Sequence, residues 1–161
     1  MDNTLKVEHL KKTYGKRNVV KDISFEMQGG QIIGLLGPNG AGKTTTFYMI
    51  VGFITNNGGS ISLNGIDITN EPMYKRARLG ISYLPQEPSI FRKLSVEDNI
   101  RLVVESRPNT DPKKRDAIVQ GLLRSFGLTY LAKQKGYTLS GGERRRTEIA
   151  RCLATSPRFL L

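Results

Sequence analysis

The sequence lacks the features that membrane-spanning and secreted proteins need. None of its hydrophobic runs approaches the roughly 20 apolar residues of a transmembrane helix. Its start, MDNTLKVEHLKKTYGKR, is polar and charged where a secretion signal would be apolar. The single cysteine, Cys152, excludes an internal disulfide and fits a reducing compartment. These absences predict a soluble protein of the cytoplasm.

Acidic residues and histidine are also scarce. The 161 residues include 14 Asp and Glu against 25 Lys and Arg, which gives a formal net charge of +11. A polyanionic partner such as nucleotide phosphates, nucleic acid or an anionic membrane surface therefore has to be considered. Because the basic excess is spread along the chain, it argues against a nucleic-acid groove. His9, the one histidine, is isolated near the start and is not expected to be catalytic.

Strand patterns dominate the first part of the chain. Residues 5–8 and 19–27 alternate or run apolar with β-branched members, which predicts an antiparallel layer near the amino terminus. QIIGLLG, residues 31–37, is a nearly continuous apolar run closed by a glycine-rich turn, so we expect a buried strand there. Shorter strands are predicted within NNGGSISLNG (56–65) and over ISYLP (81–85).

Helical patterns dominate the second part. The segment 43–53 has helical length, and MYKRARLG (73–80) predicts a short helix that ends at its glycine. Helices with capped starts are predicted from Ser95, which has Asp98 three residues on, and over 111–126, which opens with Asp-Pro. The polar loop RPNTDP separates these two helices, and the final SPRFLL is typical of the opening of a buried parallel strand.

A phosphate-binding loop is the firmest motif in the sequence. GPNGAGKTT matches G-x-x-x-x-G-K-[ST] in full and lies between a predicted strand and a predicted helix, as the motif requires. Its glycines let successive N–H groups approach phosphate oxygens, and the helix adds its positive end. Lys43 is expected to reach the β- and γ-phosphates, and the Thr44 hydroxyl to ligate Mg²⁺. The predicted ATP-binding residues are Gly37, Pro38, Asn39, Gly40, Ala41, Gly42, Lys43, Thr44 and Thr45.

A second glycine cluster, LSGGE, covers residues 139–143. Ser140 and Glu143 form a capping-box pattern that opens a helix, ERRRTEIARCLA. The pattern does not explain Gly141 and Gly142, which cost helix stability. Two glycines there suggest that another group approaches the backbone closely, and bare N–H groups beside a serine hydroxyl suit a phosphate.

A phosphate loop followed at this distance by LSGGE resembles the ABC-type ATPases, and the resemblance covers essentially the whole chain. In that family the LSGGE signature of one subunit closes over ATP held in the phosphate loop of the other. The resemblance therefore implies a head-to-tail homodimer with MgATP at its interface. It also implies that a set of signature residues binds ATP in trans: Ser140, Gly141, Gly142 and Glu143.

The expected fold class is an α/β P-loop NTPase of ABC type, with an antiparallel β subdomain, a partial RecA-like core and a helical subdomain. We expect the β subdomain and phosphate-loop core over 1–86, the helical subdomain over 87–156, and the start of a further strand over 157–161. The family pattern places an Asp and a general-base Glu after that strand, beyond Leu161. The sequence therefore predicts that this chain alone is poorly stable and hydrolyses ATP poorly or not at all.

The resemblance assigns two further nucleotide-site residues. Tyr14, in KTYGKR, is similar to the aromatic residue that stacks on adenine. Gln86, in YLPQEP, is similar to the glutamine that contacts Mg²⁺ and the attacking water and senses the transmembrane partner. The predicted catalytic residues are thus Lys43 and Gln86, and the predicted Mg²⁺ ligands are Thr44 and Gln86.

Within the family, three stretches are most similar to the ATPase subunits of lipopolysaccharide export transporters: GPNGAGKTTTFYMIVG, RARLGISYLPQEPSIFRKLSVEDNI and LSGGERRRTEIAR. This similarity implies a peripheral ATPase on the cytoplasmic face of the inner membrane that serves two transmembrane permease subunits. The permeases would bind a groove near Ile90, Phe91 and Arg92, where an exposed Ile-Phe pair would act as an apolar anchor or would instead be buried in the helical subdomain.

Other readings of the sequence stay open. Branched-chain amino-acid transporter ATPases are less similar to it. A non-transport ABC protein of ribosomes or DNA would suit the charge but would carry tandem ATPase units or a coiled-coil insertion. A nucleotide-binding fragment without catalysis is a further alternative. We expect residues 144–146, three arginines, to be solvated or to face the second subunit, and Cys152 to be a small core residue.

Overall fold

The computed structural model describes residues 3–107 and 110–161, so part of the expected RPNTDP loop lies outside the described residues. The chain divides into two compact units, residues 1–81 with Leu161, and residues 82–160. The subdomain boundaries expected from the sequence stay predictions. In neither described range does a helix have the length and apolarity needed to cross a membrane.

An antiparallel four-stranded sheet forms much of the first unit. Its strands are β1 (Thr4–Tyr14), β2 (Arg17–Gln28), β3 (Gly58–Leu63) and β4 (Ile66–Asp67), in the order β2-β1-β3-β4. The turn between β3 and β4 uses Asn64 and Gly65, whose φ angles of 53° and 78° suit a tight hairpin. The antiparallel layer expected near the amino terminus and the short strand expected within 56–65 are confirmed.

A bulge in β1 changes which side chains face the core. β1 advances from Val7 to Leu10 while β2 advances only from Phe25 to Ile23, so β1 contains an extra residue. His9, at φ 50°, lies in this bulge. The buried positions of β1 therefore shift from Leu5 and Val7 to Leu10 and Lys12.

Two helices complete the first unit, α1 (Lys43–Val51) and α2 (Met73–Leu79). They confirm the predicted helices, and each ends at a glycine with positive φ, Gly52 at 91° and Gly80 at 106°. Arg76 of α2 is buried and binds both the carboxyl end of α1 and the segment before α2 through four hydrogen bonds. It donates to the carbonyls of Met49 (2.6 Å), Ile50 (2.8 Å), Thr69 (2.8 Å) and Glu71 (2.7 Å).

The buried strand predicted over residues 31–37 is wrong for this structure. These residues form no strand, and Ile32 and Leu36 are 97% and 93% exposed. An extended segment becomes a strand only when its N–H and C=O groups pair with a neighbour. No other strand of the described residues pairs with this segment. The strand predicted over 81–85 is likewise reduced to two residues, Ile81–Ser82.

The second unit is mostly helical. It contains α3 (Val96–Ser106), α4 (Pro112–Ser125) and α5 (Gly141–Ala154), with two short 3-10 turns between α4 and α5. Near its end β6 (Phe159–Leu160) pairs with β5 (Ile81–Ser82). One apolar core unites the three helices and the chain between them. It comprises Ile90, Val96, Ile100, Val104, Val119, Leu123, Leu128, Leu131, Leu139, Ala150 and Ala154.

Both predicted capped helix starts are confirmed. The Ser95 hydroxyl accepts a hydrogen bond from the Asp98 N–H at 3.0 Å. The Asp111 carboxylate accepts one from the Lys113 N–H at 2.9 Å. Each side chain satisfies a donor that the first helical turn leaves without an intrahelical acceptor, which is why these sequence patterns fix helix starts locally.

A matched pair of glycines tests whether the β1 bulge constrains β3. Gly59 and Gly30 have nearly equal φ angles, 83° and 85°. A Cβ on Gly59 would lie 2.3 Å from the His9 carbonyl oxygen, whereas a Cβ on Gly30 meets nothing within 4 Å. Gly30→Ala should therefore lower the free energy of unfolding by about 1–2 kcal/mol, the cost of the backbone conformation alone.

Gly59→Ala should cost about 1–3 kcal/mol more than Gly30→Ala, because the two strands must also move apart. Urea unfolding of both variants measures the difference. Equal losses of stability in the two variants would show that the bulge does not constrain β3.

Candidate functional site

The phosphate loop is a sharp turn held against β2. Gly40 and Gly42 have φ angles of 80° and 86°, in the region that favours glycine. A Cβ on Gly42 would lie 2.6 Å from the Val19 carbonyl oxygen, so only glycine lets the loop approach β2 this closely. The Lys43 ammonium folds back over the loop and donates to the carbonyls of Gly37 (2.5 Å) and Pro38 (2.8 Å).

The amino end of α1 is open to an anion. Gly42 provides no side-chain cap, whereas α3, α4 and α5 each begin with a capping side chain. The N–H groups of the first turn, from Lys43 onward, therefore lack an internal acceptor and carry the positive end of the helix. Thr44 is exposed beside them and Thr45 is half-buried. Oriented amides, an ammonium and a free hydroxyl together form a suitable cradle for a triphosphate.

The described residues contain no cluster of three or more His, Cys, Asp or Glu side chains that could hold a metal by itself. The exposed Thr44 hydroxyl is one ligand that the loop can offer.

Tyr14 ends β1 in the same unit as the phosphate loop. Its side chain is 50% exposed, and its backbone pairs with Arg17, two residues before the Val19 that contacts the loop. The Lys12 ammonium lies 5.1 Å from the centroid of the Tyr14 ring. An exposed ring at this end of the hairpin is available to a flat ligand such as a nucleobase.

Gln86 is exposed in a bend of the second unit, on a loop that α5 holds from one face. Arg145 donates to the Pro85 carbonyl at 2.7 Å. Glu148, only 3% exposed, accepts from the Ser89 N–H at 2.7 Å and from Arg145 at 3.3 Å. Positions 145, 148 and 151 share one helix face, so these contacts form a continuous clamp on residues 85–91.

Arg151 and Asn99 extend this clamp to the end of the loop. The Arg151 guanidinium donates to the Ser89 carbonyl at 2.6 Å and lies 4.7 Å from the centroid of the Phe91 ring. The fully buried Asn99 accepts from the Phe91 N–H at 2.9 Å and donates to the Phe91 carbonyl at 3.1 Å. The loop that carries Gln86 is therefore fixed at both backbone and side-chain atoms.

The LSGGE segment opens α5 with the expected capping box. The Ser140 hydroxyl accepts from the Glu143 N–H at 3.3 Å, and the Ser140 N–H donates to the Glu143 carboxylate at 2.8 Å. The hydrogen bond from the Ser140 backbone lowers the pKa of Glu143 below its ordinary value. Gly141 and Gly142 are exposed, and a Cβ on either would meet nothing within 4 Å in the described residues. Their bare backbone is open to a group from outside this unit.

The sequence left exposure and burial open for the Ile-Phe pair at 90–91, and the two residues differ. Phe91 is 47% exposed, but Ile90 is 8% exposed and belongs to the core of the second unit, because the Asn99 bonds to Phe91 turn the preceding residue inward. Arg92 is exposed. Near them lies a cleft of about 270 Å³, lined by Pro88, Ile90, Arg92, Gly136, Tyr137 and Arg144.

Two further expectations from the sequence are corrected. The arginines at 144–146 are half-buried and do not form a fully solvated stripe, since Arg145 belongs to the clamp and Arg146 donates to the Phe126 carbonyl at 3.0 Å. The alternative that they face a second subunit stays a prediction. Cys152 is half-buried, where a core position was expected, and its thiol donates to the Tyr83 carbonyl at 3.5 Å. Burial raises the pKa of the Cys152 thiol.

Sequence reasoning missed Lys12, Asn99 and Glu148. A signal for Lys12 was present, since strand alternation places residues i and i+2, here Lys12 and Tyr14, on one face. The buried Glu148 had no such signal, because its partners lie in a loop about sixty positions earlier in the chain.

Comparisons with known proteins agree with this geometry. Residues 20–161 match the family described as ABC transporter. An uncharacterized ABC transporter ATP-binding protein of Rhizobium meliloti is 55% identical over 99% of this chain and 59% of its own length. The lipopolysaccharide export system ATP-binding protein LptB of Acidithiobacillus ferridurans is 52% identical over 100% of this chain and 66% of its own. The chain thus spans about three fifths to two thirds of the length of these relatives.

A solved structure shows the same fold. The ADP conformation of MJ1267, an ATP-binding cassette of an ABC transporter, superposes with a TM-score of 0.84 at 27% identity, over 98% of this chain and 67% of the other. The ABC-type α/β fold class expected from the sequence is confirmed. The chain therefore belongs to the ABC transporter family.

Proposed function

We propose that this chain supplies the ATP-binding part of an ABC transporter ATPase that powers the export of lipopolysaccharide. The observation that carries the proposal is the phosphate loop, a glycine cradle with an uncapped helix start and a lysine folded over it. The cargo rests on 52% identity, over the whole chain, to a lipopolysaccharide export ATP-binding protein.

In this proposal the loop binds the triphosphate of ATP. Lys43 exchanges its bonds to the Gly37 and Pro38 carbonyls for bonds to the β- and γ-phosphates, which are stronger because both partners are charged. The N–H groups of residues 40–45 approach the phosphate oxygens, and Tyr14 stacks on adenine.

Mg²⁺ would be held by the phosphate oxygens and the Thr44 hydroxyl, and when bound it neutralises charge that builds up during phosphoryl transfer. The protein's own contribution is to place the phosphates against fixed amides and an ammonium. Gln86 belongs to the other compact unit, so its contact with Mg²⁺ and water stays a prediction from the family resemblance.

The signature residues suit binding in trans. The exposed Ser140 hydroxyl lies at the first turn of α5, where its oxygen accepts from the Glu143 N–H. Gly141 and Gly142 offer bare N–H groups at the positive end of a 14-residue helix. A second copy that brings its ATP to this helix end would complete a head-to-tail homodimer.

The 270 Å³ cleft of the second unit is the proposed permease contact. Its buried Ile90 floor, the exposed Phe91 ring beside it and the exposed Arg92 suit a partner helix with an apolar face and an acidic residue. Two permease subunits bound in this way would place the homodimer on the cytoplasmic face of the inner membrane as a peripheral protein.

The clamp connects these sites within one unit. The amino end of α5 is the signature, and its Arg145, Glu148 and Arg151 hold the loop that carries Gln86 and Phe91. A displacement of the loop by a permease would therefore be passed to the signature as a movement of α5, because the buried contacts resist separation.

The nucleotide site is tested by Lys43→Ala. Removal of the ammonium should weaken MgATP binding to this chain at least about tenfold, the value of one charge-assisted hydrogen bond. Isothermal titration calorimetry measures the dissociation constant. Lys21→Ala is the matched control, because Lys21 is an exposed lysine on β2 outside the loop. Equal affinity in wild type and Lys43→Ala, or equal losses in both variants, would contradict the proposal.

The cargo is tested by capture on permeases. A purified lipopolysaccharide export permease pair in detergent should retain this chain, and Arg92→Ala should weaken retention about tenfold, a typical loss for a central arginine of an interface. Arg124→Ala, an exposed arginine on α4, should not. Retention by a branched-chain amino-acid permease pair in place of the export pair would overturn the cargo assignment.

The clamp is tested by hydrogen exchange at the Ser89 amide. Glu148→Ala should speed exchange about tenfold or more, because the amide loses its acceptor, whereas Glu148→Gln keeps one and should protect it. Glu105→Ala, on the exposed side of α3, serves as the control. Unchanged Ser89 protection in Glu148→Ala would show that α5 does not hold the loop.

A further inference from the structure

A buried lysine lies under the exposed Tyr14 ring. Lys12 is 8% exposed, and its ammonium donates to the Thr55 carbonyl at 2.5 Å and lies 5.1 Å from the centroid of the Tyr14 ring. A buried ammonium is costly unless polar groups or an aromatic face replace its water. The Tyr14 ring face therefore stabilises the buried Lys12 ammonium, and the ammonium in turn restrains the ring.

The β1 bulge creates this pairing. Past the bulge at His9, the core-facing positions of β1 are Leu10 and Lys12, and Tyr14 follows on the same face. Without the extra residue, Lys12 would point to the opposite side of the sheet. The strand irregularity thus brings a cation to an aromatic ring in the unit that contains the phosphate loop.

We infer that Lys12 is a positioning residue for nucleotide binding: its ammonium fixes the Tyr14 ring so that the exposed part of the ring can stack on a nucleobase. The inference rests on the proposed function, in which Tyr14 receives adenine. Lys12 itself touches no part of the nucleotide.

The physical benefit is preorganisation. A half-exposed tyrosine that can rotate must lose that freedom when a base stacks on it, and this loss weakens binding. A cation held against one side of the ring, and itself tied to Thr55, removes much of this freedom before the ligand arrives. The benefit appears only for ligands that contain a base.

Lys12 could instead act only as a link between β1 and the Thr55 carbonyl. In that case its loss would disturb the whole unit and weaken every ligand of the phosphate loop equally. Tripolyphosphate, which has the phosphates of ATP but no base, separates the two roles.

The experiment compares MgATP with Mg-tripolyphosphate by isothermal titration calorimetry. Lys12→Gln keeps a donor for the Thr55 carbonyl but removes the charge. It should weaken ATP binding about 3- to 10-fold, the range of a partly buried cation–π contact. Its affinity for tripolyphosphate should stay within about twofold of wild type. Lys12→Arg, which keeps the cation, should restore ATP binding.

A double variant completes the test. In a Tyr14→Leu background, Lys12→Gln should have no further effect on ATP, because the ring on which it acts is gone. Equal weakening of ATP and tripolyphosphate by Lys12→Gln, or no change for either ligand, would overturn the inference. If ATP binding still depends on Lys43, the proposed function survives that result, whereas a wild-type chain that binds neither ligand would overturn both.

Discussion

A glycine backbone that presents bare N–H groups to an anion has no side chain at those positions to hold it, so its support must come from neighbouring residues, and this constraint shapes the phosphate loop and the signature. Glycine removes the obstruction but adds conformational freedom that folding has to overcome. At the phosphate loop, the support comes from β2, whose Val19 carbonyl approaches Gly42 too closely for any side chain. At the signature, it comes from the capping box of Ser140 and Glu143.

The second constraint is that the loop with Gln86 has no secondary structure to hold it. Its backbone groups are satisfied instead by side chains of α5 and α3, chiefly the buried Glu148 and Asn99. Both carboxylate oxygens of Glu148 are occupied, one by the Ser89 N–H and one by Arg145, so the burial of its charge is compensated. The satisfied hydrogen bonds of Glu148 and Asn99 restrain the loop, and this restraint would let it pass a displacement on to α5.

The sequence predicted the features that contiguous residues determine and missed those that depend on packing against distant residues. The starts of α3, α4 and α5 were predicted because a cap and its donor lie within three residues of each other. The phosphate loop and the signature were likewise found from contiguous residues. The strand over 31–37 was wrong because a strand requires pairing with distant residues, which local hydrophobicity does not report. The burial of Ile90 and the role of Glu148 depend on the same kind of distant packing.

Hydrogen bonds from basic side chains to backbone carbonyls explain part of the positive charge of the chain. Several cations donate to backbone carbonyls and not to carboxylates: Lys12 to Thr55, Lys43 to Gly37 and Pro38, Arg76 to four carbonyls, Arg146 to Phe126 and Arg151 to Ser89. Carbonyls at helix ends and in loops carry partial negative charge, so a guanidinium or ammonium satisfies them without a matching acid. A chain that fixes its loops in this way accumulates basic residues. Most of these cations are thus committed to its own backbone, whereas Lys43 can exchange its carbonyl partners for phosphate.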